Sequence, residues 1–296
     1  MMRVGISVCS NGQSRDWKNQ NNELFDVLKS LGSEPVLSSH IYAGIDEFSG
    51  TDEERAADLM SFYKDDSIKA IYDISGGDLA NGVLKYLDFD VIANSGKTFW
   101  GYSDLTTVIN AIYTAAGKPS VLWQIKNLIY SDAEEQRRRF GEYLKTYSDA
   151  EEKKTGFREC RNGDLNGLFD ISYRFLQGNR MEGIVIGGNI RCFLKLAGTK
   201  YWPDMQNKIL LLESLGGESG QIASMFTQLE QIGVFDKVSG VLLGTFTNYE
   251  KANLKMTVYD LLKMHIDGKL PVAVTGDIGH GHNSRAIVIG REMTLD

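Results

Sequence analysis

Proline and histidine are scarce in this chain, with four residues of each among 296, and cysteine is scarcer still at three. So few prolines exclude a collagen-like or linker-rich chain. Cys9, Cys160 and Cys192 are odd in number and lack metal-type spacing, so buried or incidental thiols are expected rather than a disulfide framework or a zinc site. A basic surplus is missing too, because 32 Lys and Arg stand against 39 Asp and Glu, for a formal charge of -7. Counterion release from a phosphate backbone needs the opposite balance, which argues against a nucleic-acid partner. No stretch approaches the roughly 18 apolar residues of a membrane span, and the apolar start from Met1 to Val8 is too short for a signal-peptide core. A cytoplasmic protein without a membrane partner is expected.

What is present is the composition of a folded globular protein, 42% hydrophobic and 24% charged. The length suits two cores better than one. Apolar β-rich runs alternate with segments of helical period, the pattern of an α/β fold with parallel sheets covered by helices. Strands are predicted at Arg3–Ser7, around Val36, at Ile68–Ile74 and at Thr98–Tyr102. Helices are predicted at Asn22–Leu31, from the Thr51-Asp52-Glu53-Glu54 capping box to Tyr63, from the Gly76-Gly77 turn through Leu87, and at Leu105–Ala116. A second box, Ser131-Asp132-Ala133-Glu134, predicts a helix to about Leu144. Between Tyr147 and Arg180 the pattern breaks, with solvated charges at Glu151–Lys154 and turn chemistry at Arg161–Asp164. The expected organisation is an N-terminal α/β domain over 1–150, a linking region over 151–180 and a C-terminal α/β domain over 181–296. In the last of these, strands are predicted at Gly183–Ile186, Ile209–Leu212, Val238–Leu243, Val272–Thr275 and Ala286–Ile289.

Four segments carry candidate chemistry. Trp100-Gly101-Tyr102-Ser103-Asp104 lies where a strand hands over to a helix, a place where a serine hydroxyl can project beside helix N–H groups. It shares that logic with the nucleophile elbow, although Leu105 stands where a second glycine would be; the bland reading of Ser103 is an N-cap. Ser75-Gly76-Gly77-Asp78 follows another strand, and its glycines let backbone amides turn toward developing negative charge. It fits an oxyanion hole, an anion nest or a plain turn. Neither a dinucleotide fingerprint nor a phosphate loop is present, so no cofactor is expected. Ile209–Leu212 ends in Glu213, a carboxylate at the end of a strand where open sheets gather ligands, or simply a solvated strand end. Gly279-His280-Gly281-His282 places two of the four histidines in a glycine-rich loop. No third ligand has convincing spacing, so a general base is favoured over a metal site. His40 and His265 have no supporting pattern and are read as surface or packing residues. Ser103, Glu213 and His280 thus occur in the order Ser, Glu, His, which alone does not establish geometry.

With these residues in view, the chain resembles the LD-carboxypeptidase family of serine peptidases, which includes the microcin C immunity peptidases. The matching stretches are Gly50–Leu59, Gly76-Gly77, Tyr86–Asp90, Gly101–Asp104, Gly187-Gly188-Asn189, Ile209–Glu213, Thr227–Leu229 and Gly279-His280, in order over roughly the whole length. The resemblance implies a homodimeric cytoplasmic peptidase whose site lies in the cleft between an N-terminal domain bearing the serine and a C-terminal domain bearing Glu and His. It implies Ser103 as nucleophile, His280 as base then acid, Glu213 as the carboxylate orienting the imidazole, and the N–H groups of Gly77 and Asp104 as the oxyanion hole. Asn189 would position substrate. His282 does not match the family's Gly-His step.

The implied substrate is a muropeptide that loses a terminal D-amino acid. A second reading is cleavage of an aminoacyl-nucleotide antibiotic, for which Trp123 or Phe157 could form an aromatic platform, the bland reading of each being a core or surface aromatic. A third is a non-catalytic two-domain module that captures a small ligand. There are departures from the family pattern: Ser75 stands where many members have arginine, Leu122-Trp123-Gln124-Ile125 replaces a histidine and proline, and nothing between Ser131 and Arg180 is matched.

Overall fold

The structure, a computed structural model, describes residues 1–153 and 167–296. Two six-stranded sheets organise them. In the first sheet β1 (Met2–Ser7), β2 (Ser33–Leu37), β3 (Ile68–Asp73), β4 (Thr98–Gly101) and β5 (Ser120–Leu122) are all parallel. The second contains β6 (Arg174–Gln177), β7 (Met181–Asn189), β8 (Lys208–Ser214), β9 (Gly240–Phe246) and β10 (Val272–Val274), with β7 to β10 parallel and β6 antiparallel to β10. Strand β11 (Ile287–Ile289) pairs antiparallel with β5, while β12 (Glu292–Leu295) pairs antiparallel with β7.

The two sheets therefore do not divide at a single point of the chain. Sequence pattern counted 286–289 with the C-terminal domain, yet β11 closes one edge of the first sheet in the order β11-β5-β4-β3-β1-β2. A three-residue apolar strand carries no mark of which sheet it joins; only pairing decides it.

Parallel strands are covered on both faces, so their side chains read as near-continuous apolar runs, and alternation serves two separate cores. Ile71, Phe99 and Leu122 face a cluster that continues without interruption into Val185, Ile209, Leu211 and Val241 of the second sheet. Val4, Ile6, Ala70, Tyr72, Trp100 and Val121 face a second cluster closed by Leu24, Leu28 and Phe140. The shared first core holds the two sheets as one packed body. Polar contacts add registration: Asn110, on the helix Thr106–Ala116, gives Nδ2 to the Gly187 carbonyl and accepts from the Gly187 N–H, both at 2.9 Å, and the Asn189 N–H donates to Thr106 Oγ1 at 3.0 Å.

The Thr51 capping box forms as expected, with Thr51 Oγ1 accepting from Glu54 N–H at 3.2 Å and Glu54 Oε2 accepting from Thr51 N–H at 2.8 Å. The second box does not: Ser131 Oγ lies 2.9 Å from His282 Nδ1, and the helix begins at Ala133. The predicted helix through Leu87 is two short pieces, Ala80–Val83 and Leu84–Tyr86. Elements not expected from the pattern include β5, β6, β12 and the helix Phe89–Asn94, each six residues or fewer.

Candidate active site

Ser103 stands just beyond the carboxyl end of β4 with φ +54°, in the left-handed region that non-glycine residues rarely occupy. Its side chain caps neither the short 3-10 turn it opens nor the helix Thr106–Ala116, so the N-cap reading does not hold. A residue held in this conformation stores strain of about 1–3 kcal/mol, a cost commonly found at functional turns.

Beside it runs the Gly76-Gly77 turn: a Cβ built on Gly76 would stand 3.9 Å from Ser103 Cβ. Gly77 has φ +119°, and a Cβ there would lie 2.3 Å from Asn11 Cγ. Glycine is thus required twice over, for backbone conformation and for the close approach of Asn11. Asn11 N–H donates to the Gly76 carbonyl at 3.2 Å, and Asn11 Oδ1 accepts from Asp78 N–H at 2.8 Å. Since N–H and C=O point oppositely across a trans peptide, the bond on the Gly76 carbonyl turns the Gly77 N–H the other way. The Asp104 N–H belongs to the first turn of a helix, where donors lack an intrahelical acceptor.

The position before the glycines is explained by packing. Ser75 Oγ donates to Asp73 Oδ1 at 2.5 Å and accepts from Ser10 N–H at 3.0 Å, while Asp73 Oδ2 accepts from Cys9 N–H and Ser7 Oγ at 2.7 and 3.0 Å. Burial pushes the Asp73 carboxyl up, partly offset by the bonds from Ser75. Ser75 therefore faces inward and ties the exits of β1 and β3 together.

The second sheet supplies the carboxylate and the imidazole. Glu213 lies on β8, in register with Asn189 on β7, and is wholly buried rather than solvated. Its Oε2 is 2.7 Å from His280 Nδ1. His280 reaches it because its loop lies flat on β9: Thr245 N–H donates to the Ile278 carbonyl at 2.8 Å, and a Cβ on Gly279, at φ +149°, would stand 1.9 Å from Thr245 Oγ1. The His280 ring also lies on Tyr102, the residue before Ser103, with ring centroids 4.5 Å apart. Among the described residues, His280 Nε2 and Glu213 Oε1 are buried without a hydrogen-bond partner. Burial, and secondarily the charge of Glu213, push the Tyr102 phenol well up, keeping it protonated.

Asn189 accepts from Cys192 N–H through its side chain at 3.3 Å and so caps the helix Ile190–Leu194 beside Glu213. Trp123 is a correction. It is 1% exposed, stacks on Phe140, meets Trp100 edge-on and donates its indole N–H to the Ser284 carbonyl at 3.0 Å, so it has no face to offer a ligand. Phe157, and Cys160 with it, lie outside the described residues; Cys9 and Cys192 are buried free thiols. His282 Nδ1 engages Ser131 and its ring lies against Tyr130, 4.5 Å between centroids. His40 and His265 pair with Asp58 and Glu230. His280 alone of the four faces Glu213. Among the described residues no group of three His, Cys, Asp or Glu is arranged to hold a metal ion, and no helix is long and apolar enough to cross a membrane.

Sequence reasoning did not single out Asn11, packed against the Gly77 turn, or Tyr102 as the partner of the His280 ring. Asn11-Gly12 just after β1 was the available signal for the first, because the carboxyl ends of parallel strands border the site.

Residues 4–122 match the description of the LD-carboxypeptidase N-terminal domain, and 182–295 that of the LD-carboxypeptidase C-terminal domain. The chain is 28% identical over 266 residues to the microcin C7 self-immunity protein of Escherichia coli, covering 84% of this chain and 77% of that one. It is 26% identical over 272 residues to a protein described as a probable murein peptide carboxypeptidase of Bacillus subtilis strain 168, covering 91% and 82%. A solved structure of the microcin C7 self-immunity protein, an inactive mutant in its apo state, superposes with a TM-score of 0.80 at 24% identity, covering 99% of this chain and 92% of that one.

Proposed function

The chain belongs to the LD-carboxypeptidase family, and we propose that it is a serine peptidase that removes a terminal D-amino acid from muropeptides. The observation that carries this reading is the buried 2.7 Å contact between Glu213 and His280 Nδ1, which leaves Nε2 without a hydrogen-bond partner among the described residues, in a ring that lies on Tyr102, the residue before the strained turn of Ser103.

In this reading Glu213 accepts the Nδ1–H bond and so keeps the unprotonated nitrogen, Nε2, toward Ser103. His280 Nε2 takes the hydroxyl proton as Ser103 Oγ attacks the scissile carbonyl carbon. The oxygen that becomes negative is met by the N–H groups of Gly77 and Asp104, each such donor typically supplying about 2.7–4 kcal/mol. The tetrahedral adduct collapses as the imidazolium gives its proton to the leaving amine, and the C–N bond breaks. Water then enters, its proton goes to His280, and the ester to Ser103 is hydrolysed. Asn189, paired with Glu213 across β7 and β8, would position the substrate.

A second reading keeps the chemistry and changes the substrate to an aminoacyl nucleotide; the identity to the microcin C7 self-immunity protein favours it. With Trp123 buried, the aromatic platform considered for a base is absent at that position. Incubating the protein with a tetrapeptide ending in D-Ala and with an aminoacyl sulfamoyl adenylate, and weighing the products, separates the readings. Release of D-Ala supports the first. Cleavage of the adenylate alone supports the second, and intact substrates with no labelling by a fluorophosphonate would leave a ligand-binding module.

A further inference from the structure

Two cations on the helix Ile190–Leu194 and its end reach out of the second domain and grip the two segments that would form the oxyanion hole of the first. Lys195 Nζ donates to Asp104 Oδ1 at 2.5 Å and to the Asp78 carbonyl at 2.9 Å. Arg191 donates to the Gly77 carbonyl at 3.1 Å and pairs with the Asp78 carboxylate, which it holds below the usual carboxylate range. With the Asn11 bond to Gly76, three successive carbonyls, at 76, 77 and 78, are each fixed by a donor. Three successive peptide planes are therefore fixed, including the one that aims the Gly77 N–H.

Lys195 does more than hold one loop. The carboxylate it grips belongs to Asp104, whose own N–H is the second candidate donor. Asp104 is fully buried, and its other oxygen accepts from Ser10 Oγ at 2.7 Å and Ala80 N–H at 2.8 Å. One ammonium thus sets the spacing between the Gly77 turn and the turn after Ser103. We infer that Lys195, assisted by Arg191, is a positioning residue that pre-organises the oxyanion hole from across the domain interface. Lys195 touches none of the reacting atoms and acts through the backbone at 77–78 and 104.

The inference rests on the serine-peptidase reading, and its test must not fail with it. The readouts are the second-order rate at which a fluorophosphonate labels Ser103, whose phosphoryl oxygen needs the same two donors, and kcat and KM on whichever substrate is turned over. For Lys195→Met the labelling rate should fall at least tenfold, toward the roughly 10²–10³-fold lost when an oxyanion donor is removed. Where there is turnover, kcat should fall in parallel with the labelling rate while KM changes by no more than about threefold, the split expected of a transition-state contact. Lys195→Arg should recover part of the loss. Arg191→Met, at a half-exposed side chain whose removal leaves the core intact, should give a smaller loss of the same kind and keeps the test open if Lys195→Met does not fold. Labelling within threefold of wild type in folded Lys195→Met or in Arg191→Met, or a loss carried by KM alone, would overturn the inference. A wild-type protein that labels but cleaves neither substrate class would refute the peptidase reading and leave the labelling comparison standing.

Discussion

Replacing Glu213 by glutamine should move activity and stability in opposite directions. The carboxylate is inaccessible to solvent, has one hydrogen-bond partner, His280 Nδ1 at 2.7 Å, and leaves Oε1 without any among the described residues. When His280 becomes an imidazolium, opposite charges about 4 Å apart attract by roughly 4 kcal/mol at an effective dielectric of 20. Glutamine removes that term, and its amide can also present N–H to Nδ1 and favour the wrong tautomer. A fall in kcat of about 10³-fold follows, with little change in KM. In the free protein, however, the same carboxylate is fully buried, and one of its two oxygens has no hydrogen-bond partner among the described residues. Its neutral isostere should leave the melting temperature unchanged or higher, because a buried ion with incomplete pairing is weak support for a fold. Stopped assays of amine release and a thermal melt on the same preparation give both numbers. A kcat within tenfold of wild type would refute the role given to Glu213, and a large loss of melting temperature would refute the account of its burial.

Gly77→Ala should cost about 10²–10³-fold in kcat and about 1–3 kcal/mol in stability, since the position combines φ +119° with contact to Asn11; retained turnover would show that the turn does not hold the oxyanion. Lys126 is buried, bonds to the Gln13 amide oxygen, and is held down by burial to about 8 from an ordinary 10.5. The unfolded chain therefore binds the extra proton between these values, and the penalty, full below pH 8, is relieved as pH rises. Unfolding free energy of wild type minus that of Lys126→Met should increase by about 2–3 kcal/mol between pH 8 and 10.5, and a flat difference would contradict the burial of the ammonium. Thr51→Ala should lower stability by about 1 kcal/mol with activity unchanged, read from urea unfolding and the same amine assay.

Much of the layout was legible because it is local. Alternation marked β1, β3, β4, β8 and β10 close to where they form, and the Thr51 box announced its helix. The order Ser103, Glu213, His280 singled out a serine just past β4, a carboxylate on β8 and a histidine in the loop after β10, of which the last two lie in contact. What escaped reading was set by partners far along the chain. Strand β11 is too short to declare its sheet, and Ser131 found His282, 151 residues away, instead of its own helix. Trp123 could be read as an aromatic platform because a tryptophan just past a three-residue strand has no visible period. Its burial is decided by Phe140 and by the Ser284 carbonyl, 161 residues distant. Lys195 and Arg191 carried no motif at all; their meaning lies in two carbonyls and a carboxylate more than ninety residues upstream.

The most direct measurement of the central claim is the site and rate of covalent labelling by a fluorophosphonate, followed by intact mass and peptide mapping. One adduct on Ser103, lost in Ser103→Ala and slowed at least a hundredfold in His280→Ala, is the predicted result. Labelling at another residue, or at Ser103 with a rate indifferent to His280, would contradict the convergence of the hydroxyl, imidazole and carboxylate on one reacting centre.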